Sequence, residues 1–381
     1  MHDVVIAGGG PAGSRVAALM ARSHDVLVLE EHPSSGTPVQ CAGLVTGDVI
    51  RMSGVSPDII NSLYGAEVVF PDGSSVIVRS KEPKAYEIDR SEFDSKMADA
   101  AMSAGAEYVY GDRVRSISIQ SDHVDVLSSS STRQCRAVVG ADGHASVVSA
   151  SLGDNDAREY LRGAQADVAH RMDRQDLFRI HLGSRYAPGF FTWEIPCGDF
   201  TRVGLCTSWS AGPPYQYLSR LLDDLGLSDR VQRKYNGRIP LGGRRTTYSD
   251  RCMLVGDAAC QVKPVSAGGL YPGLMSADIL ADVLTGALAD DDLSSARLSQ
   301  YESRWRGALS KELDKGYRLR RMMLRMDDDD FNRAGAYAQR KNVRAELDGI
   351  SLDSPSSVVT RILRHPLDAL ALIPVAIRCL L

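Results

Sequence analysis

Residues 3–13 read DVVIAGGGPAG, and this stretch decides the fold. Residues 4–6 are a short β-branched run, typical of a parallel strand that is buried on both faces. Gly8, Gly10 and Gly13 then give G-x-G-x-x-G, and the helical pattern SRVAALMARS follows at once. The order of strand, glycine-rich turn and helix predicts the first half of a dinucleotide-binding βαβ unit.

Each glycine of this turn has its own physical reason. Gly8 permits the tight turn, Gly10 lets the backbone approach a pyrophosphate, and Gly13 lets helix and strand pack closely. The free N–H groups at the helix N-terminus favour phosphate oxygens. A second strand, DVLVLE, ends at Glu30, whose carboxylate is expected to accept hydrogen bonds from a ribose. The alternative is a glycine-rich turn in some other α/β protein.

Composition excludes several classes of function. The 381 residues are 44% apolar and 24% charged, which is ordinary for a globular enzyme of two or three lobes. A net charge of −4 and a pI of about 6.1 leave no broad basic surface, so no nucleic-acid partner is expected. The seven cysteines are scattered without a CxxC pair, so no disulfide framework and no metal site is expected, as in a cytoplasmic protein. Neither a signal peptide nor a spanning helix is predicted.

Three further segments extend the nucleotide-binding pattern. In each, an apolar strand or a strand end is followed by a carboxylate, and glycines or a helix start lie nearby. Such groups suit the ribityl hydroxyls and phosphates of a flavin nucleotide. The segments are 251–284 with Gly256-Asp257 and Gly268-Gly269, 137–146 with Asp142-Gly143, and 86–106 with Asp89-Arg90.

Together these motifs resemble the flavoprotein fold of para-hydroxybenzoate hydroxylase and, within it, the geranylgeranyl reductase family. PVQCAGL (38–44) matches that family's Cys-Ala/Gly-Gly segment near the flavin. QVKPVSAGGLYPGL (261–274) resembles its V-K-P-x-x-x-G-G-I-Y-x-G-L segment. The resemblance covers about residues 1 to 310.

The resemblance implies an α/β fold and FAD as the cofactor. The implied parts are a Rossmann-like FAD-binding domain (1–65, 86–155 and 250–300), an antiparallel β-sheet substrate domain (66–85 and 156–249) and a C-terminal helical segment (301–381). The implied cofactor-binding residues are Gly8, Gly10, Ala12, Gly13, Glu30, Glu31, Cys41, Ala42, Gly43, Arg90, Val114, Asp142, Gly256, Asp257, Gly268, Gly269 and Leu270. Only one dinucleotide fingerprint is present, so electrons are expected from a ferredoxin-like protein or from transiently bound NAD(P)H.

An aromatic run lies at 188–196, PGFFTWEIP, and the residues after it predict a β-hairpin with its turn at 197–200. The family's P-x-x-Y-x-W-x-F-P motif is matched at Pro188, Trp193 and Pro196, but Phe191 replaces its Tyr and Ile195 replaces its Phe. Strand alternation places Phe191 and Trp193 on one face and Phe190 on the other. Phe191 and Trp193 are expected to line an apolar channel for a polyprenyl substrate. The alternative is that these rings only fill the core.

The implied activity is the saturation of C=C bonds in geranylgeranyl chains by hydride from reduced FAD. The expected substrate is an archaeal-type digeranylgeranylglycerophospholipid, with menaquinone side chains and the chlorophyll tail left open. Alignment of the alkene with flavin N5 and exclusion of water are the protein's expected contributions. Cys41, a thiol that can stay neutral when buried, is the candidate proton donor, and Tyr271 is a second donor or a channel wall.

Two other functions on the same fold stay open. A flavin monooxygenase or halogenase is the first, because FTWEIP is one residue short of the W-x-W-x-I-P of flavin halogenases. An electron-transfer flavoprotein is the second, but it would ask for an iron–sulfur cysteine cluster that the sequence does not contain.

The C-terminal third is predicted to be helical. A basic helix covers 304–326, and DDDD at 327–330 is expected to break or cap it. Residues 365–381 are apolar but interrupted by proline and charge, too short and broken to span a bilayer. They are expected to dock on the substrate domain as a lid or, alternatively, to lie at the inner face of the cell membrane as a peripheral contact.

Overall fold

The computed structural model describes residues 1–153, 156–348, 351–357 and 375. Its strands are β1 (His2–Ala7), β2 (Val26–Glu30), β3 (Leu44–Val45), β4 (Ile59–Leu63), β5 (Gly65–Val69), β6 (Ser75–Arg79), β7 (Ala85–Ile88), β8 (Glu107–Tyr110), β9 (Val114–Ile119), β10 (Val124–Ser128), β11 (Thr132–Gly140), β12 (Glu159–Val168), β13 (Leu177–His181), β14 (Thr192–Cys197), β15 (Phe200–Ser208), β16 (Val231–Leu241), β17 (Tyr248–Ser249) and β18 (Cys252–Leu254). Its helices are α1 (Pro11–Met20), α2 (Gly47–Ser53), α3 (Arg90–Ser103), α4 (Val147–Ala150), α5 (Pro214–Asp224), α6 (Leu270–Ala289), α7 (Ser295–Met323), α8 (Asp328–Ala338) and α9 (Lys341–Leu347).

The first sheet, sheet A, has the strand order β17-β18-β11-β1-β2-β8. Its centre is parallel, with β1 between β11 and β2. The β9–β10 hairpin extends from β11, and the serine run at 128–131 forms the tip between β10 and β11. Residues 4–6 of β1 are fully buried, as the β-branched run predicts for a strand covered on both faces. The carboxyl ends of β1, β2, β11 and β18 therefore lie at one edge of the sheet.

Helices α1, α3, α6 and α7 cover one face of sheet A, and the main core lies between them and the strands. Of the described helices, only α6 is long and apolar enough to cross a membrane, but 61% of its most apolar stretch is buried. It packs against α1 and α7, which is the behaviour of a core helix.

The second sheet, sheet B, has the order β16-β12-β15-β14-β13-β5-β6. The predicted hairpin is confirmed, with β14 and β15 antiparallel around a turn at 198–199. The sheet is not wholly antiparallel, because β5 runs parallel to β13. Helix α5 packs on one face of β12 and β15, and the other face turns toward sheet A. A small third sheet, β3-β7-β4, lies between the two.

The C-terminal helices follow the predicted boundary at the aspartate run. Helix α7 begins after Ser294, whose side chain caps it, and continues to Met323. Asp327 then caps α8 in a reciprocal capping box with Asp330, so the predicted cap is confirmed. The segment 365–381, expected to be a lid or a membrane contact, lies outside the described residues apart from Val375.

Candidate cofactor and substrate cavity

The glycine-rich turn after β1 is built as its sequence requires. Gly8 has φ +100°, and a Cβ there would lie 2.4 Å from the carbonyl oxygen of Ala141. A Cβ on Gly13 would lie 2.1 Å from the Gly8 carbonyl oxygen, so this glycine allows α1 to pack on the turn. At Gly10 a Cβ would meet nothing within 4 Å, and Gly10 faces a cavity. The space beside this turn and the N-terminus of α1 therefore fits a bound phosphate group.

Glu30 ends β2 at the rim of the same cavity. Its side chain is almost buried, with 7% of the residue exposed. One carboxylate oxygen accepts a hydrogen bond from the Gly9 N–H at 2.7 Å, and the other accepts from the His32 N–H at 2.9 Å. These bonds fix the carboxylate beside the turn, where a ribose of a dinucleotide would lie.

The cavity has a volume of about 600 Å³ and runs between sheet A and sheet B, which is within the usual range for a ligand site. Gly13 and Gly43 do not line it. Gly43 lies behind its wall, where a Cβ would be 2.5 Å from a carboxylate oxygen of Glu87. The cofactor residues implied by the sequence that do line it are Gly8, Gly10, Ala12, Glu30, Glu31, Cys41, Ala42, Arg90, Val114, Asp142, Gly256, Asp257, Gly268, Gly269 and Leu270.

Two carboxyl groups lie at the carboxyl ends of β11 and β18. Asp142 accepts hydrogen bonds from the Ser146 hydroxyl at 2.5 Å and the Val147 N–H at 2.8 Å, and these bonds oppose the burial that raises its pKa. Burial raises the pKa of Asp257 to about 6, although Arg90 and Arg244 favour its charged form. A carboxyl group with such a pKa can accept or donate a hydrogen bond near neutral pH, which suits a hydroxyl-bearing chain.

Arg90 connects the start of α3 to the loop at 38–44. Its guanidinium donates two 2.9 Å hydrogen bonds to the carboxylate of Asp94 and lies near the Cys41 side chain. Burial lowers the pKa of Arg90, but the negative charge of the Asp94 carboxylate and its hydrogen bonds oppose this, and the net shift is upward. Arg90 therefore stays cationic next to Cys41.

Two buried side chains from sheet B hold the loop that carries Cys41. Gln165 on β12 donates a 2.9 Å hydrogen bond from its side-chain amide to the Cys41 carbonyl. Arg202 on β15 donates to the neighbouring Ala42 carbonyl, also at 2.9 Å. The sequence prediction missed both residues. The sequence does contain a signal for Arg202, which is a charged residue within the otherwise apolar strand FTRVGL. Such a charge must find a partner when the strand is buried.

Arg202 is shared by two buried carboxylates. It contacts Asp167 at 2.8 Å and Glu87 at 2.7 Å, and the hydroxyl of Tyr235 donates to Asp167 at 2.7 Å. Burial raises the pKa of Glu87 to about 8, although Arg202 opposes this shift. One cation between two acids leaves this cluster with an excess negative charge, so a proton on Glu87 is the arrangement that its burial favours.

The aromatic run forms one wall of the cavity. Phe190 and Phe191 stack with ring centroids 4.3 Å apart, and Trp193 meets Phe191 edge-on at 6.3 Å. All three line the cavity. The prediction that Phe190 faces the opposite side is wrong, because β14 begins only at Thr192 and the alternation of a strand does not extend to Phe190. The indole of Trp193 lies over Gly204, where a Cβ would be 2.5 Å from its Nε1 atom.

The apolar character of the wall continues across sheet B. Its other members project from alternate positions of β13, β14 and β15, and Tyr271 faces the same space from the first turn of α6. These apolar wall residues are Phe178, Ile180, Ile195 and Cys206. No group of three or more His, Cys, Asp or Glu side chains in the described ranges is arranged to hold a metal ion.

A charged pair lies at the same end of the cavity. Lys263 donates a 2.9 Å hydrogen bond to a carboxylate oxygen of Asp353, and its ammonium lies 5.9 Å from the centre of the Tyr271 ring. Lys263 lies in the V-K-P segment, from which no role for its side chain was predicted, and no sequence motif around Asp353 indicates a site. The residues present thus combine a dinucleotide cradle, which fits an FAD, with an adjoining apolar chamber.

Comparisons with known proteins agree with this geometry. The family model described as lycopene cyclase protein matches residues 3–334. A digeranylgeranylglycerophospholipid reductase of Methanothermobacter thermautotrophicus is 30% identical over 349 residues, covering 87% of this chain and 90% of that protein. An uncharacterised protein of Methanocaldococcus jannaschii is 31% identical over 344 residues and covers 87% of both chains.

Solved structures show the same fold. A geranylgeranyl bacteriochlorophyll reductase-like protein of Thermoplasma acidophilum has a TM-score of 0.85 at 21% identity, covering 98% of this chain and 99% of that one. The flavin-dependent halogenase CmlS has a TM-score of 0.70 at 18% identity, covering 97% of this chain and 78% of that one. At these identities the two structures establish a common architecture and no more.

Proposed function

The chain belongs to the geranylgeranyl reductase family, and from this membership and the shape of its cavity we propose that it saturates C=C bonds of geranylgeranyl chains in archaeal-type membrane lipids. The enzyme is an FAD-dependent oxidoreductase. The observation that carries the proposal is the continuity of the dinucleotide cradle with an apolar chamber walled by Phe190, Phe191 and Trp193. A digeranylgeranylglycerophospholipid is the substrate that the relatives' names indicate.

FAD is held, in this proposal, by the glycine-rich turn, by Glu30 and by the groups at the ends of β11 and β18. When bound, FAD supplies the hydride that saturates the double bond. The turn at Gly8–Gly13 and the start of α1 hold the phosphates, and Glu30 holds a ribose. Asp257 and the N–H groups at Gly268 and Gly269 hold the other half of the cofactor.

The protein's own work on the substrate is to bind, orient and shield an alkene that has no polar handle. Phe191 and Trp193 offer large rigid faces to an isoprenoid chain, and Ile195 continues the same apolar surface. Because an isolated alkene is not polarised, fixing its position and excluding water are the main contributions that side chains can make.

A proton must reach the carbon that does not receive hydride, and Cys41 is our candidate for its donor. Its partly buried thiol lines the cavity beside the Arg90 guanidinium. The Gln165 bond to its carbonyl fixes the backbone from which this thiol projects. Tyr271 lines the same space and serves in the proposal as a wall residue.

The electron donor and the membrane contact are further parts of the proposal. Electrons come from a ferredoxin-like protein or from transiently bound NAD(P)H, because the chain carries one dinucleotide fingerprint. The protein works in the cytoplasm, at the inner face of the membrane that holds its substrate. Trp209 supports this location, because it is 43% exposed and its ring lies 3.8 Å from Arg162 and 5.1 Å from Arg238. Aromatic and basic side chains are favoured together at lipid headgroups.

The test is an anaerobic assay of the purified holoenzyme with dithionite and digeranylgeranylglyceryl phosphate, followed by mass spectrometry of the lipid. We expect mass gains in steps of two hydrogens. An unchanged lipid, together with substrate-dependent oxygen consumption in air and an oxygenated or halogenated aromatic product, would instead establish the monooxygenase or halogenase alternative.

A further inference from the structure

Residues 351–357 form a short segment, the strap, that reaches the cavity at Leu352 and Asp353. Two polar anchors hold this strap to the rest of the protein. Lys263 donates to the Leu352 carbonyl at 2.8 Å and to the Asp353 carboxylate at 2.9 Å. The Ser356 N–H donates to Glu312 on α7 at 3.0 Å. Of the two residues that anchor the strap, Lys263 also lines the cavity.

Leu352 occupies the apolar end of the chamber. It packs with the cluster that contains Phe178 and Ile195, and Trp193 and Ala42 belong to the same cluster. Leu352 also lines the cavity. An isoprenoid chain that reaches the aromatic wall must share this space or displace Leu352 from it.

Asp353 follows directly and pairs with a cation that is itself buried. Lys263 is 6% exposed and Asp353 is 8% exposed, and both line the cavity. Among the described residues, Asp353 is the only acid within ion-pair distance of Lys263. If Asp353 leaves, a buried ammonium loses its counter-charge, which is costly unless another anion replaces it.

An apolar group followed at once by an anion is also the chemistry of a prenyl chain joined to a phosphate. We propose that Leu352 and Asp353 occupy the positions of the substrate, and that Lys263 is the site that binds the anionic headgroup of an isoprenoid lipid when the strap is displaced. This inference rests on the proposed function and deepens it, because it names the end of the substrate that the cavity recognises.

The arrangement also explains why a cation lies in a chamber otherwise suited to hydrocarbon. A lysine ammonium is a compact charge with three donors and binds phosphate oxygens from many directions. The Tyr271 ring, 5.9 Å away, helps to keep the ammonium in the chamber. With the headgroup at Lys263, the prenyl chain would follow the Leu352 position toward Trp193.

The test is titration calorimetry of the holoenzyme with geranylgeranyl phosphate, geranylgeraniol and inorganic phosphate. The wild type should bind the prenyl phosphate more tightly than either of the others. Lys263→Met should weaken binding of geranylgeranyl phosphate by about 10- to 100-fold, as expected for a charged hydrogen bond, and change geranylgeraniol binding less than about twofold. Lys263→Arg should retain most of the preference, and Asp353→Asn should tighten phosphate binding because the internal competitor has lost its charge.

Matched controls are Lys311→Met and Asp314→Asn, which remove charges from exposed positions of α7 and should leave all three affinities unchanged. Equal weakening of both prenyl ligands by Lys263→Met would overturn the inference, and so would the absence of tightening in Asp353→Asn. Inorganic phosphate that binds as tightly as the prenyl phosphate would also contradict a lipid site. Because binding is measured without turnover, a protein with the expected affinities that never saturates the chain would refute the proposed function and leave this inference intact.

Discussion

The side-chain amide of Gln165 donates a 2.9 Å hydrogen bond to the backbone carbonyl of Cys41. This bond joins β12, the strand next to one edge of sheet B, to the loop that lies between the two sheets. Arg202 repeats the connection one residue later, through the Ala42 carbonyl. The sheet that carries the proposed substrate wall therefore also holds the backbone of the candidate proton donor.

Gln165→Met tests this positioning role, because it keeps most of the side-chain volume and removes the donor. We expect kcat to fall about tenfold, the effect of losing one buried hydrogen bond, while KM and FAD content change little. The measurement is steady-state lipid reduction under anaerobic conditions. Gln232→Met, at an exposed position of β16, is the control, and a Gln165→Met enzyme with the wild-type kcat would show that the bond is only structural.

Glu87→Gln tests the proton held in the buried cluster. The folded protein raises the pKa of Glu87 from 4.5 to about 8. Between these values the folded state binds more protons than the unfolded state, so this carboxyl group makes the free energy of unfolding fall as pH rises. One proton contributes at most about 1.4 kcal/mol per pH unit to the slope of the free energy of unfolding against pH. The variant should lack this contribution.

The measurement for Glu87→Gln is urea unfolding of the wild type and the variant at several pH values from 5 to about 8. The stability of the variant relative to the wild type should rise with pH across this range, because only the wild type loses the contribution of the Glu87 proton. A constant difference in the free energy of unfolding across the whole range would mean that Glu87 is ionised throughout and that Arg202 dominates its environment.

Glu30→Gln tests the ribose-binding role of the acid at the end of β2. Loss of a charged acceptor should weaken FAD binding by about 10- to 100-fold, measured by fluorescence titration of the apoprotein. Glu107→Gln, on the exposed start of β8, should have no effect. If Glu30→Gln binds FAD with the wild-type affinity, the Glu30 carboxylate does not bind the ribose. Its role would then be limited to accepting the hydrogen bond from the Gly9 N–H.

Trp193→Ala tests whether the aromatic run is a substrate wall. We expect KM for the prenyl lipid to rise at least about tenfold, because a ring face of this size contributes more than about 1.4 kcal/mol of apolar contact. Trp193→Phe should restore most of the affinity. Leu127→Ala, at an exposed position of β10 outside the cavity, is the control for prenyl binding. A Trp193→Ala protein with lower thermal stability and unchanged KM would identify the rings as core.

The cofactor half of the cavity could be predicted from the sequence because its signals are local. The glycine-rich turn and the acid that ends β2 each depend on neighbours within a few residues, and the same is true of the aspartate cap of α8, which lies outside the cavity. Two other features join positions that are far apart in the chain. They are the contacts of Arg202 with Glu87 and Asp167, and the ion pair of Lys263 with Asp353. No periodicity records such pairs, since they exist only after the sheets have packed. Phe190 was placed on the wrong face because the start of β14 is set by the turn before it, and local alternation does not reveal that boundary.

In the proposed function, reduction of the prenyl chain draws its electrons from the bound flavin. The most direct measurement mixes the stoichiometrically reduced holoenzyme with excess digeranylgeranylglyceryl phosphate without oxygen, and compares flavin reoxidation by absorbance with lipid mass in the same sample. We expect one saturated double bond, a gain of two hydrogens, for each flavin reoxidised. A flavin that stays reduced in the presence of the lipid, or that reoxidises without any gain in lipid mass, would contradict it.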